Sequence, residues 1–103
     1  MKKFNLRNLI KPNKTLLGVG PMSLNCVKAA IALSNNYLFP IMLIASRRQV
    51  DSAEHGGGYV NNWTTNEYAD FVKLADKKNT VILARDHGGP WQNNTEIKNK
   101  NTL

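Results

Sequence analysis

The segment ILARDHGGPWQ, residues 82–92, contains the side chains best suited to chemistry. Arg85, Asp86 and His87 stand side by side after an apolar run, and a Gly-Gly-Pro sequence follows them. A carboxylate beside an imidazole can move a proton or hold a metal ion. The same residues also suit an ordinary turn, because Asp hydrogen-bonds to local backbone and Gly and Pro favour turns. The residue types therefore leave a functional site and a turn as two open interpretations.

A second group of polar residues follows another apolar run. Arg47 and Arg48 could bind a sugar phosphate, because an Arg side chain offers two parallel donors to a phosphate. Two solvated arginines are the alternative interpretation. Gly57 and Gly58 lie further along, in a glycine-rich loop that resembles a phosphate-binding loop but lacks the Lys-Ser/Thr pair of a P-loop. A flexible lid or a turn is the alternative for that loop.

Apolar periodicity predicts three strands separated by two helices. The strands are expected at residues 16–19, 38–45 and 80–84, and the helices at residues 22–34 and from residue 64 to the polar run 76–79. Thr64 and Glu67 have the spacing of a capping box, which marks the start of the second helix. The continuous apolar run 38–45 is typical of a strand covered on both faces. Cys26, in the first helix, is interpreted as a small core residue.

The order β-α-β-α-β is typical of a parallel sheet with helical crossovers. Because parallel strands point the same way, the segments that follow them meet at one edge of the sheet. Residues 18–22, 45–58 and 85–92 should therefore form one shared rim. Such a small sheet leaves its edges unpaired, so we expect the chain to be the N-terminal part of a larger α/β protein.

Composition narrows the possible partners and location. The net charge of +7 comes largely from both ends of the chain, and no interleaved basic and aromatic pattern predicts a nucleic-acid partner. The longest apolar run is too short to cross a bilayer. For the same reason we expect no membrane partner. The one cysteine rules out an intrachain disulfide, so we expect a cytoplasmic location. We divide the chain into a basic segment 1–14, a domain 15–92 and a polar tail 93–103.

Several separate motifs together resemble the accessory subunit family of class II D-tagatose-1,6-bisphosphate aldolase. They occur in the family's order, between about residue 16 and residue 92. The motifs in the family are a segment near Ser-x-Gln-Val, a Gly-Gly-Tyr loop, a Thr-rich helix start and an Asp-His-x-Gly-Pro turn. Their residues here are Ser46, Gln49 and Val50, then Gly57, Gly58 and Tyr59, then Thr64 and Thr65, and finally Asp86, His87, Gly89 and Pro90.

The resemblance implies a TIM barrel, of which this chain would supply the first three βα units. It implies that Asp86 is the proton-transfer residue and that His87 is a ligand of a catalytic zinc ion in the complete barrel. For this chain alone, no cofactor is expected. The implied partner is a class II aldolase catalytic subunit. The implied sugar-phosphate substrate is a ketose bisphosphate, which is cleaved reversibly into dihydroxyacetone phosphate and glyceraldehyde phosphate.

Two alternatives to this accessory role stay open. Some relatives of the family act as metal-dependent sugar or sugar-acid epimerases, which would use the same Asp86 and His87. An inactive remnant is the other alternative, because the further zinc ligands of such barrels lie on later strands.

Overall fold

In the computed structural model, which describes residues 15–92, three strands alternate with two helices. The elements are β1 (Leu17–Val19), α1 (Leu24–Tyr37), β2 (Ile41–Ala45), α2 (Thr65–Ala75) and β3 (Val81–Arg85), with a short 3₁₀ helix (Ala53–His55) between β2 and α2. The predicted β-α-β-α-β order is confirmed. The segments 1–14 and 93–103 lie outside the described residues. Within the described part of the chain, no helix combines enough length with enough apolar character to cross a bilayer.

The three strands form one parallel sheet in the order β1-β2-β3. Leu43, in the middle of β2, is in register with Val19 on one side and with Leu83 on the other. Because all three strands run the same way, their carboxyl ends lie at one edge of the sheet. The loops that carry the predicted functional residues begin at that edge.

Both helices cover the same face of the sheet. Alternate β2 residues Ile41, Leu43 and Ala45 are buried, as period-two alternation requires for one covered face. They share one core with residues from both helices and from the long loop. The main helical contributors are Val27, Ala30 and Ile31 of α1 and Tyr68 and Val72 of α2. Burial of this face supplies the hydrophobic stabilisation of the domain.

The opposite face of the sheet is only half-buried, and this corrects the prediction for β2. Met42 and Ile44 point to that face and keep partial exposure. The prediction of a strand covered on both faces is therefore wrong for the described residues, because both helices lie on one side. Ile44 also explains Gly18 in β1. A Cβ atom at Gly18 would lie 2.8 Å from Ile44 Cδ1, so the isoleucine packs over the glycine.

The first helix is longer than its sequence predicts. It continues through Asn35 and Asn36 and ends at Tyr37, and Leu38 adopts a left-handed conformation with φ of 52°. The Asn pair favoured a helix end because Asn hydrogen-bonds readily to non-helical backbone. In the structure Asn35 instead uses its side-chain amide in tertiary contacts, so the helix is not interrupted there.

The start of α2 confirms the predicted capping box. Thr64 Oγ1 accepts from the Glu67 backbone N–H at 3.2 Å, and Glu67 Oε1 accepts from the Thr64 N–H at 3.0 Å. The hydrogen bond from the Thr64 backbone is also the main cause that lowers the pKa of the Glu67 carboxyl. Two N–H groups at the helix start thus find partners, which fixes where the helix begins.

A buried carboxylate, Asp76, connects the end of α2 to the start of β3. Its Oδ1 accepts from the Thr80 backbone N–H at 3.1 Å and from Asn35 Nδ2 at 2.7 Å. Its Oδ2 accepts from the Val81 N–H at 3.0 Å. Only 8% of Asp76 is exposed. The carboxylate therefore orders the turn that leads into β3 and fastens that turn to α1 through Asn35.

Replacing Asp76 by Ala should destabilise the domain strongly. The change leaves three N–H donors without their acceptor, and we expect the free energy of unfolding to fall by about 3 kcal/mol. Urea unfolding followed by circular dichroism measures this. Asp70, an exposed residue of α2, is the matched control, and Asp70→Ala should change stability by less than about 0.5 kcal/mol. Equal effects of the two substitutions would contradict the role given to Asp76.

Candidate functional site

The loops that follow the three strands contact one another at the carboxyl edge, as the sequence predicts. Gln49 Nε2, from the loop after β2, donates to the Pro21 carbonyl after β1 at 2.6 Å. Arg47 Nη1, from the same loop, donates to the Gly89 carbonyl after β3 at 2.7 Å. The Gln49 side chain is itself held, because its Oε1 accepts from the Ser46 N–H at 2.7 Å. The predicted rim is therefore joined by direct hydrogen bonds.

Arg85 belongs to this rim in a way that sequence reasoning missed. It is the last residue of β3 rather than the first residue of the loop. Its Nη1 donates to the Val50 carbonyl at 2.6 Å, and its Nη2 donates to Thr65 Oγ1 at 3.1 Å. The side chain thus ties the end of β3 to the loop after β2 and to the first residue of α2. Its position directly before Asp86 was visible in the sequence, but its partners come from distant segments.

Arg47 is not a solvated arginine. Its side chain is 12% exposed and forms an ion pair with Asp51, with Nε to Oδ1 at 3.3 Å and Nη2 to Oδ2 at 3.1 Å. Sequence reasoning did not select Asp51. Opposite charges four residues apart pair on a helix, and the loop contains one such turn, in which Val50 N donates to the Ser46 carbonyl at 3.0 Å. Much of the donor capacity expected to bind a sugar phosphate is therefore used within the protein.

An open depression of about 510 Å³ lies beside these residues on the rim. It brings together Arg47, Arg48, Gly57 and Gly58. Asp86 and His87 are not among the described residues that line it. Arg48 is exposed and reaches solvent beside the glycine loop. The complete lining is Arg47, Arg48, Gly56, Gly57, Gly58, Tyr59 and Gln92.

The glycine loop has a structural reason for its composition. A Cβ atom at Gly58 would lie 2.0 Å from the Gln49 carbonyl oxygen, because the flanking backbone hydrogen-bonds along the start of the loop after β2. Tyr59 N donates to the Arg48 carbonyl, and Val60 N donates to the Gln49 carbonyl, both at 3.0 Å. Gly57 has φ of 72° and is similarly crowded by the Trp63 carbonyl. Close backbone packing therefore accounts for both glycines.

Asp86 and His87 lie at the surface of the turn after β3. His87 Nε2 is 4.0 Å from Asp86 Oδ2, and the two side chains are 73% and 53% exposed, respectively. His87 also has a positive φ of 45°. Among residues 15–92, no group of three or more His, Cys, Asp or Glu side chains could hold a metal ion. A catalytic zinc usually has three protein ligands, so the donors present in this part of the chain do not fit a zinc site.

A smaller apolar cavity lies between α2 and β3, near the rim. It measures about 210 Å³ and is lined mainly by Ala45, Tyr68, Leu83 and Arg85. Burial raises the pKa of the Tyr68 hydroxyl to about 12, and the positive charge of Arg85 acts in the opposite direction. The Tyr68 hydroxyl is buried and accepts or donates no hydrogen bond within the described residues.

Cys26 is exposed, so its prediction as a small core residue is wrong. It lies in the first turn of α1, and the stripe of α1 that packs on the sheet passes through Val27 instead. The Ser23 hydroxyl, 3.4 Å from the sulfur, is the main cause that lowers the pKa of the Cys26 thiol.

Comparison with protein-family models, with curated proteins and with solved structures finds no match to this chain.

Replacing Gly58 by Ala tests whether this glycine is required for the loop itself. The added methyl group meets backbone atoms that no side-chain rotation can move away, so we expect a loss of about 3 kcal/mol in stability without any ligand. Chemical denaturation of the purified chain measures the loss. Gly89→Ala is the control, because a Cβ atom there has no neighbour within 4 Å. If the Gly58→Ala protein is as stable as the Gly89→Ala protein, the backbone at residue 58 can move away from Gln49 at little cost in free energy, and the loop does not require this glycine.

Proposed function

We propose that this chain is part of an accessory subunit that supports a class II aldolase acting on ketose bisphosphates. The motifs that resemble the tagatose-bisphosphate aldolase accessory family are the starting point of the proposal. Its fold-level support is the consecutive strand order with both helices on one face of the sheet. Repeated βα units of a barrel have this arrangement, and so does one βαβαβ half of a doubly wound sheet, so the fold is compatible with the proposal.

One observation carries the proposal. The Arg47 side chain, from the segment that resembles the family around Gln49, donates to Gly89 in the turn that resembles it around Asp86 and His87. These two segments lie about 40 residues apart in sequence, and each belongs to a separate motif. Their direct contact at the carboxyl edge of the sheet is what a shared site at the end of a barrel requires.

The metal-binding side chains present in residues 15–92 favour a role in supporting the aldolase subunit over catalysis by these residues. Asp86 and His87 are exposed at the rim, and the described residues bring no further metal-binding side chain to them. Any zinc ion bound by His87 would need ligands from outside this part of the structure, so no reaction step is assigned through a metal here. In the complete barrel, we assign proton transfer to Asp86 and metal binding to His87.

Arg48 is the better candidate for contact with a sugar phosphate in the depression. It is exposed, whereas Arg47 is largely occupied by Asp51 and Gly89. A guanidinium beside an open depression can meet a phosphate without first breaking an ion pair. We therefore propose that Arg48 contacts the substrate and that Arg47 has a structural role.

Association with a class II aldolase catalytic subunit tests the proposal. Affinity-tagged chain is mixed with the purified catalytic subunit, and we expect the two to elute together and the melting temperature of the catalytic subunit to rise, since a ligand that binds the folded state stabilises it. The Asp70→Ala chain should behave like the wild type, and the unstable Asp76→Ala chain should not bind.

Two results would contradict the proposed partnership. The first is a folded wild-type chain that neither elutes with the catalytic subunit nor changes its melting temperature. The second is metal-dependent epimerisation of a sugar by the complete barrel in the absence of any partner, which would favour the epimerase instead.

A further inference from the structure

We propose that Arg47 and Asp51 form a positioning pair, which holds the turn carrying Asp86 and His87 against the loop after β2. The proposal rests on the proposed function only in treating that turn as functional. The positioning itself is a property of this chain and does not require the aldolase partner or a substrate.

Asp51 provides a fixed anchor for the arginine. Only 4% of Asp51 is exposed. Its Oδ1 accepts from the Ser52 N–H at 2.7 Å, and its backbone carbonyl accepts from the Thr65 N–H at 2.8 Å. A short parallel bridge joins Asp51 to Thr64 at the start of α2. The backbone of Asp51 is therefore attached to the helix start, and its carboxylate is attached to its own loop.

Arg47 has the geometry to connect this anchor to the turn. Its Nε and Nη2 atoms face the Asp51 carboxylate, and its Nη1 atom donates to the Gly89 carbonyl. The planar guanidinium holds its donors in fixed relative directions, so fixing one side also fixes the other. A lysine ammonium is a single point of charge and has no such rigid fork.

Within residues 15–92, the turn lies at the surface, and Gly88 is beside the Arg85 side chain, where a Cβ atom would lie 3.3 Å from Cγ. Residues 86–89 are exposed, and a Cβ atom at Gly89 would have no neighbour within 4 Å. The left-handed conformation of His87, with φ of 45°, is one that non-glycine residues seldom adopt. The charge-assisted hydrogen bond at 2.7 Å therefore constrains the path of the chain beside Asp86 and His87.

Backbone order at the turn tests the positioning pair. Nitrogen-15 relaxation of the full chain gives amide order parameters, and rigid backbone has values near 0.85, whereas flexible backbone falls below about 0.6. We expect the wild-type Gly88 and Gly89 amides to be near the rigid value. In Arg47→Ala they should fall toward the flexible value, while the Leu43 and Val72 amides in the core keep theirs.

Two further variants keep the test decisive if Arg47→Ala does not fold. Arg47→Lys keeps the charge but lacks the fork, and Asp51→Asn keeps the shape but removes the anchoring charge. Both should lower the order of Gly88 and Gly89. Arg48→Ala is the matched control, because the neighbouring arginine does not join the turn to the loop, and it should leave the order unchanged.

Unchanged order at Gly88 and Gly89 in the folded Arg47 variants would overturn the positioning pair. An equal loss of order in Arg48→Ala would overturn it as well. Failure of the wild-type chain to bind an aldolase would contradict only the proposed function, because the relaxation experiment contains no partner.

Discussion

The buried Asp76 carboxylate is the interaction on which the arrangement of the domain depends. It accepts the N–H groups of Thr80 and Val81 at the point where β3 begins, and the Asn35 amide from α1. Ser34 strengthens the same junction, since its hydroxyl lies 2.6 Å from Thr80 Oγ1. Burying a charge is costly unless hydrogen bonds satisfy it, and here three do. The entry point of β3 is thereby fixed relative to α1, at the residue where its parallel pairing with β2 begins, Val81 beside Ile41.

This junction lies at the amino end of the strands, while the candidate site lies at the carboxyl end. The two ends are connected by strands of only five residues, so an error in the start of β3 would displace Arg85 and the turn that follows it. At the carboxyl end, long polar side chains join the three loops to one another. Gln49 reaches the loop after β1, Arg47 reaches the turn after β3, and Arg85 reaches the start of α2. The Asp76 junction and the side chains that join the loops thus lie at opposite ends of the same sheet.

Local sequence signals predicted the elements because each depends on nearby residues. The apolar run of β2 and the capping box of Thr64 and Glu67 are such signals, and the parallel order then placed the three loops on one rim. The half-open face at Met42 and the exposed Cys26 were not predictable in this way, because they depend on which side the helices pack. The same holds for Arg47: its charge was visible, but whether it meets solvent, a phosphate or Asp51 is decided by tertiary contacts.

The central claim of this account is that the three segments following the strands form one rim, which brings the segment around Gln49 together with the Asp86–His87 turn. Nuclear Overhauser effects in the labelled full chain measure this directly. The account predicts contacts from the Gln49 side-chain amide to Pro21 and from the Arg47 guanidinium to Gly89, alongside the strand contacts of Leu43 with Leu83. Strand contacts without the two loop contacts would show that the sheet forms but the rim does not, and would contradict the account.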